Sequence, residues 1–145
     1  MNDETVFIRC PARLDFVAVL RQVVVTICAS ETPESELYQV QLAVSELVTN
    51  IVTHAYGGAA DGTIEFSAAH GDDRVTIDVY DTGQPFADVD VAGRVPDAPP
   101  DPDDLLEGGY GLFIIGQTMD VMTHTREADA RNHWHLEKHF RRSAA

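Results

Sequence analysis

The sequence predicts an α+β fold in which amphipathic helices and antiparallel hairpins share one core. Three observations predict it. Apolar residues recur at threes and fours in two segments, at Leu14, Val17, Leu20, Val24 and Ile27 and again at Leu37, Val40, Val44, Leu47 and Ile51. Short segments further on are rich in β-branched and aromatic residues, alternate in polarity and are joined by brief turns. The 145 residues, 44% hydrophobic and 23% charged, suit one domain spanning 1–145, large enough to fold without disulfide staples.

Taken in order, Thr5–Arg9 is a short strand of β-branched and aromatic residues. Pro11 then opens the first helical pattern. A second helix is expected from Thr32-Pro33, with Thr32 as N-cap and Pro33 in the first helical position, where its missing N–H costs nothing. Glu34 and Glu36 suit the positive end of that helix dipole. The helix should stop near Tyr56-Gly57-Gly58, where glycine takes up the left-handed cap. Strands Thr63–Ala69 and Arg74–Tyr80 form an antiparallel hairpin, with Val75, Ile77 and Val79 on the core face. Gln84–Gly108 lacks periodicity and is too long for an ordinary connection, which marks it as a lid or an unstructured segment. A short helix is expected over 111–119. Val121–Thr125 and Arg131–Lys138 then close the chain as a second hairpin.

The charge balance limits function. Ten basic against twenty-four acidic residues give a net charge of −14, which disfavours direct nucleic-acid binding. No apolar run is long enough for a membrane span, and the first residues lack a signal peptide's basic start and apolar stretch. Cys10 and Cys28 form no CxxC or zinc pattern and read as small buried hydrophobes in a reduced compartment.

Three clusters have the composition of a binding site. Glu46, Asn50 and His54 follow one another at intervals of four, beside the apolar stripe of the long helix. Such a line is either a solvated face or a carboxylate and an amide oxygen aimed into one site. The amide oxygen is a hard ligand suited to Mg²⁺, and the carboxylate can bind metal or take a proton. Asp81-Thr82-Gly83 ends a strand; it is either a plain turn or a carboxylate that accepts from a ligand amine beside a glycine permitting close approach. Gly108-Gly109-Tyr110-Gly111-Leu112 precedes an apolar helix, where free N–H groups can hold an anion. No Lys-Ser or Lys-Thr follows these glycines, so they do not form a Walker loop.

In this order the three resemble the N, G1 and G2 boxes of the GHKL ATPase superfamily, most closely the bacterial anti-sigma-factor serine/threonine kinases. The matching stretches are Glu46–Tyr56, Asp81–Phe86 and Gly108–Ile115, and the likeness covers nearly the whole chain. It implies a two-layer α/β sandwich, with a mixed, mostly antiparallel sheet covered on one face by about three helices, holding ATP. By this resemblance Asn50 ligates Mg²⁺, with Glu46 as general base toward a serine hydroxyl or water and as a further candidate metal ligand. Asp81 would bond the adenine amine, with His54, Gly83 and Phe86 among the nucleotide contacts. Gly108, Gly109, Tyr110, Gly111 and Leu112 would form the phosphate loop, and residues 84–108 the ATP lid. The implied activity is an Mg-ATP-dependent protein kinase of the cytoplasm that phosphorylates an antagonist (anti-anti-sigma) protein and sequesters a sigma factor. By the same resemblance a homodimer is a further expected partner state.

Two departures and two other readings accompany the resemblance. The late strand Asn132-His133-Trp134-His135 offers no clear equivalent of a threonine common in the family. The lid is acidic: eight acids and one base, Arg94, lie between Asp81 and Glu107, half of the chain's excess charge. Either Mg²⁺ offsets those acids or they face a partner, and Arg94 has no assigned catalytic role. A nucleotide-gated binding module without kinase turnover fits the same motifs. A retroviral-type aspartic protease, suggested by Asp81-Thr82-Gly83 and Phe113-Ile114-Ile115-Gly116, conflicts with Gln84 and with the helices before Asp81. His133 and His135 share one strand face opposite Trp134 and Leu136, which reads as a wet face opposite a core face rather than as a zinc site.

Overall fold

A computed structural model of the chain describes residues 4–28, 32–57, 61–84 and 115–140. Strand β1 spans Glu4–Pro11, β2 Thr63–His70, β3 Arg74–Asp81, β4 Val121–Arg126 and β5 Asn132–His139. They form one sheet in the order β1-β2-β3-β5-β4, and every pairing is antiparallel. The expected hairpins are present, each strand running a residue or two beyond its predicted end. No parallel ladder occurs among the described strands.

Alternation decides which sheet face is covered. On β3, Val75, Ile77, Val79 and Asp81 are buried while Arg74, Thr76, Asp78 and Tyr80 are not. On β5, Asn132, Trp134 and Leu136 are buried. The helices supply the other half of this core. Helix α1 (Val17–Cys28) buries Leu20, Val24 and Cys28, and α2 (Glu34–Asn50) buries Val40, Ala43, Val44, Leu47, Val48 and Asn50. Each fully buried Leu or Val contributes about 1.5–3 kcal/mol, so these stripes clamp both helices to one sheet face. Both cysteines are free and buried among these residues, and burial pushes the Cys28 thiol up to about 11.

The helix starts differ from expectation. Leu14 lies in a 3-10 turn (Leu14–Phe16) that precedes α1 and is 55% exposed, so it is not on the buried stripe. Pro33, not Thr32, is the N-cap of α2: its extended backbone (ψ 136°) delays the helix to Glu34, with no side-chain cap. The first backbone bond runs from Leu37 N–H to the Pro33 carbonyl at 2.9 Å. Residues 115–118 are helical, within the span expected for the short helix. With helices filling most of 17–50 and the Asp81 side chain facing them, nothing remains of the all-β protease alternative.

Candidate functional site

The site is built where the end of α2 meets the end of β3. After Asn50 the helix widens into a single π turn, Ile51–Ala55, closed by a bond from Tyr56 N–H to the Ile51 carbonyl at 3.0 Å. Gly57 at φ 59° then stops it, as expected. Isolated π turns are frequent at functional sites. Here the turn alters the predicted line of three. Glu46 and Asn50 stay one α-turn apart, Asn50 5% exposed and Glu46 half-buried, whereas the wider turn carries His54 to an exposed position.

The same turn docks onto the end of β3. Gln84 N–H donates to the Ala55 carbonyl at 2.8 Å. The Tyr56 hydroxyl donates to the Thr63 carbonyl at 2.7 Å and accepts from Thr82 N–H at 2.8 Å. Gly83 is pressed against this junction: a Cβ there would lie 2.5 Å from the Ala55 carbonyl oxygen. The Glu46–Asn50 helix end and the Asp81–Gly83 loop are therefore one packed unit.

Asp81 is the charged group of this unit and is 2% exposed. Its Oδ1 accepts from Gly83 N–H at 2.9 Å and from Asn132 Nδ2 at 2.8 Å. Its Oδ2 is buried and makes no hydrogen bond of good geometry among the described residues, with the Trp134 side chain within reach of the carboxylate; Nδ2 of Asn50 has no hydrogen-bond partner among those residues. Burial pushes the Asp81 carboxyl above its ordinary value, against Asn132, Gly83 N–H and the Trp134 side chain, which favour its charged form. A buried carboxylate oxygen without a donor is costly in a folded chain. It is the feature expected where a ligand N–H completes the set.

Asn132 is the residue that the sequence did not reveal. It lies opposite Asp81 in the β3–β5 register and is fully buried. Besides Asp81, its Nδ2 donates to the Gly83 carbonyl at 3.1 Å. Its Oδ1 accepts from Arg126 at 3.0 Å and lies 3.0 Å from His124 Nε2, and Arg126 also donates to the Gly83 carbonyl at 2.9 Å. From this late strand Asn132 bonds the Asp81 carboxylate directly. The clue in the sequence was a polar residue at an inward position of β5, in line with Trp134 and Leu136.

Of the remaining expected site residues, Phe86, Gly108, Gly109, Tyr110, Gly111 and Leu112 lie outside the described residues, as do Arg94 and all of the lid but Gln84.

The model of the histidine kinase-like ATPase domain matches residues 10–137. Serine-protein kinase RsbW of Halalkalibacterium halodurans is 37% identical over 122 residues, which cover 81% of this chain and 73% of that protein. Its counterpart in Oceanobacillus iheyensis is 30% identical, covering 82% and 77%. A crystal structure of the RsbU and RsbW domains of a Mycobacterium tuberculosis protein superposes with a TM-score of 0.68 at 21% identity. It covers 97% of this chain and 33% of that one, and shows a shared fold.

Proposed function

Since this chain belongs to the histidine kinase-like ATPase domain family, we propose that it is an Mg-ATP-dependent serine/threonine protein kinase that acts as an anti-sigma regulatory factor. The observation that supports the nucleotide site is the buried Asp81 carboxylate, one of whose oxygens makes no well-formed bond among the described residues, beside a glycine and packed on the turn that follows Asn50. ATP is the ligand expected of an ATPase domain, and the orphaned Oδ2 of Asp81 is an acceptor suited to the adenine amine. Asn132 and Gly83 N–H fix the other oxygen, so the carboxylate is aimed before the base arrives.

The buried Asn50 amide has no hydrogen-bond partner for its Nδ2 among the described residues, and its oxygen is a hard donor of the type that suits Mg²⁺. A bound Mg²⁺ would neutralise phosphate charge during transfer. Glu46, one turn earlier and half-buried, is assigned the role of general base toward a serine hydroxyl. Backbone N–H groups of Gly109 and Gly111 are assigned to the phosphates, and 84–108 to a lid that excludes water. The chain has a single lysine, Lys138, whose Nζ donates to the Thr118 carbonyl at 2.7 Å. Charge neutralisation therefore rests on metal and backbone dipoles rather than on a phosphate-loop lysine.

Curated relatives are named serine-protein kinases, which supports serine on a protein as the acceptor. The substrate assigned here is an antagonist protein, and the sequestered partner a sigma factor whose basic surface the −14 charge would attract. No helix among the described residues is long and apolar enough to cross a membrane, and the proposed compartment is the cytoplasm. The test is transfer of radiolabel from ATP to candidate antagonist proteins by wild type and Glu46→Ala. Transfer that is lost in the variant while ATP binding remains supports the kinase. ATP binding without transfer to any partner by wild type supports a nucleotide-gated binding module instead.

A further inference from the structure

The sheet face turned away from the helices carries a second cluster of chemistry, on the opposite side from Asp81. Asp78 of β3 lies opposite His135 of β5, and His133 is two residues earlier on the same face. Asp78 Oδ1 is 2.7 Å from His133 Nε2 and 2.8 Å from His135 Nδ1. The three side chains are 25–27% exposed, so solvent ions reach them. One ligand atom from each lies within 4.8 Å of the others.

Two features distinguish this group from an ordinary ion pair. First, His135 has a carboxylate oxygen at each ring nitrogen, Asp78 at Nδ1 and Glu137 Oε2 at 2.7 Å from Nε2. A neutral imidazole carries one N–H, so either tautomer leaves a lone pair against an oxygen. A second positive centre must sit there, either a proton or a metal ion. Second, the rings are held in place. Tyr80 stacks on His133 with centroids 4.3 Å apart, and the Arg131 guanidinium covers Tyr80 at 3.9 Å. Glu137, bonded to His135 and His139 and paired with Arg74, stands behind His135 as carboxylates stand behind metal-bound histidines.

The geometry points to a divalent transition-metal site of the zinc type, with His133 Nε2, His135 Nδ1 and Asp78 Oδ1 as ligands and the fourth position open to solvent. Ligand atoms about 2.0–2.2 Å from a tetrahedral ion are about 3.4 Å apart, so the Asp78 oxygen, now 2.7 and 2.8 Å from the two ring nitrogens, must withdraw from both rings as the ion enters. Two imidazoles and a carboxylate suit Zn²⁺, Cu²⁺ or Ni²⁺ rather than the hard Mg²⁺ of phosphate sites. The ion would clip β3 to β5 on the face that the helices leave open. The sequence showed only two histidines alternating with a core; the third ligand comes from a strand 55 residues away.

The experiment is a calorimetric titration of untagged, nucleotide-free full-length chain with Zn²⁺, paired with thermal melting. One equivalent per chain is expected, with a Tm rise of about 5 °C or more once Zn²⁺ exceeds its dissociation constant about 100-fold. The double variant H133A/H135A should lose this binding. E137Q should weaken it about 10–100-fold by releasing the ring orientation. H70A, a histidine outside the cluster, should bind as wild type does. Circular dichroism checks that each variant is folded, and D78N reads the same loss if the double variant is not. Absence of binding at about 100 μM free Zn²⁺ overturns the site and leaves a protonated His–Asp ion pair. Binding that survives in folded H133A/H135A or D78N overturns it as well.

Discussion

Replacing Gly83 by alanine tests the idea that the helix end and the β3 loop form one unit. The added Cβ would lie 2.5 Å from the Ala55 carbonyl oxygen, 2.6 Å from its carbon and 2.8 Å from its Cβ, whereas ordinary contact begins at 3.4 Å. Two of these atoms are backbone, so no side chain can swing aside. The loop and turn must separate by about 0.9 Å, enough to break the 2.8 Å bond from Gln84 N–H to the same carbonyl. Overpacking costs about 1–3 kcal/mol and the lost bond about 0.5–1.5 kcal/mol. A total of about 2–4 kcal/mol lowers Tm by about 5–15 °C at this size. Gly57→Ala is the comparison, since a Cβ there meets nothing and only φ 59° opposes it. That change should cost about 1 kcal/mol. Differential scanning calorimetry of both variants, with ATP titration of each, separates the two causes. If Gly83→Ala melts within about 1 °C of wild type and binds ATP equally, the close packing inferred here is wrong.

The buried carboxylate gives a signed pH prediction. Because burial raises the Asp81 pKa in the folded chain above its unfolded value of 3.8, its protonated form contributes stability below about pH 4. That contribution is lost as pH rises through the folded pKa. Asp81→Asn should therefore raise Tm at pH 7 relative to wild type, with less gain near pH 4, while weakening the preference for adenine over guanine nucleotides. A Tm lower than wild type at pH 7 would contradict the sign. Asn132→Ala removes a donor to that buried carboxylate and should cost about 1.5–3 kcal/mol in urea unfolding; a loss under about 0.5 kcal/mol would mean Asp81 is held otherwise. For Asn50→Ala, calorimetry should show loss of Mg²⁺-dependent ATP affinity with the fold retained, and unchanged binding removes Asn50 from the metal role. With both cysteines buried and Cys28 pushed up to about 11, a thiol reagent at pH 8 should label them only after denaturant is added, whereas rapid native labelling would show an open core.

The local patterns were sufficient for much of the fold. Valines and isoleucines alternating in β3 fixed its inward face, and apolar spacing of threes and fours located the buried stripe of α2. The order of Glu46, Asn50, Asp81 and the glycine cluster carried the family. These are short-range signals, because strand and helix periodicity is written in neighbouring residues. The π turn escaped them, since one widened turn changes hydrogen bonding without changing the apolar pattern. So did the start of α2, where Pro33 backbone geometry overrode the capping preference of Thr32.

What only the tertiary structure decided lies across strands. Asn132 supports Asp81 from 51 residues away, Arg126 reaches Gly83 from 43, and Asp78 meets His133 from 55. These contacts follow from the β3–β5 register and, for Arg126, from the β4–β5 register that sets it opposite Asn132. Register is fixed by the summed burial of every inward side chain on both strands. No single stretch of sequence contains that sum, so the partners of a polar residue become known only when the sheet is assembled.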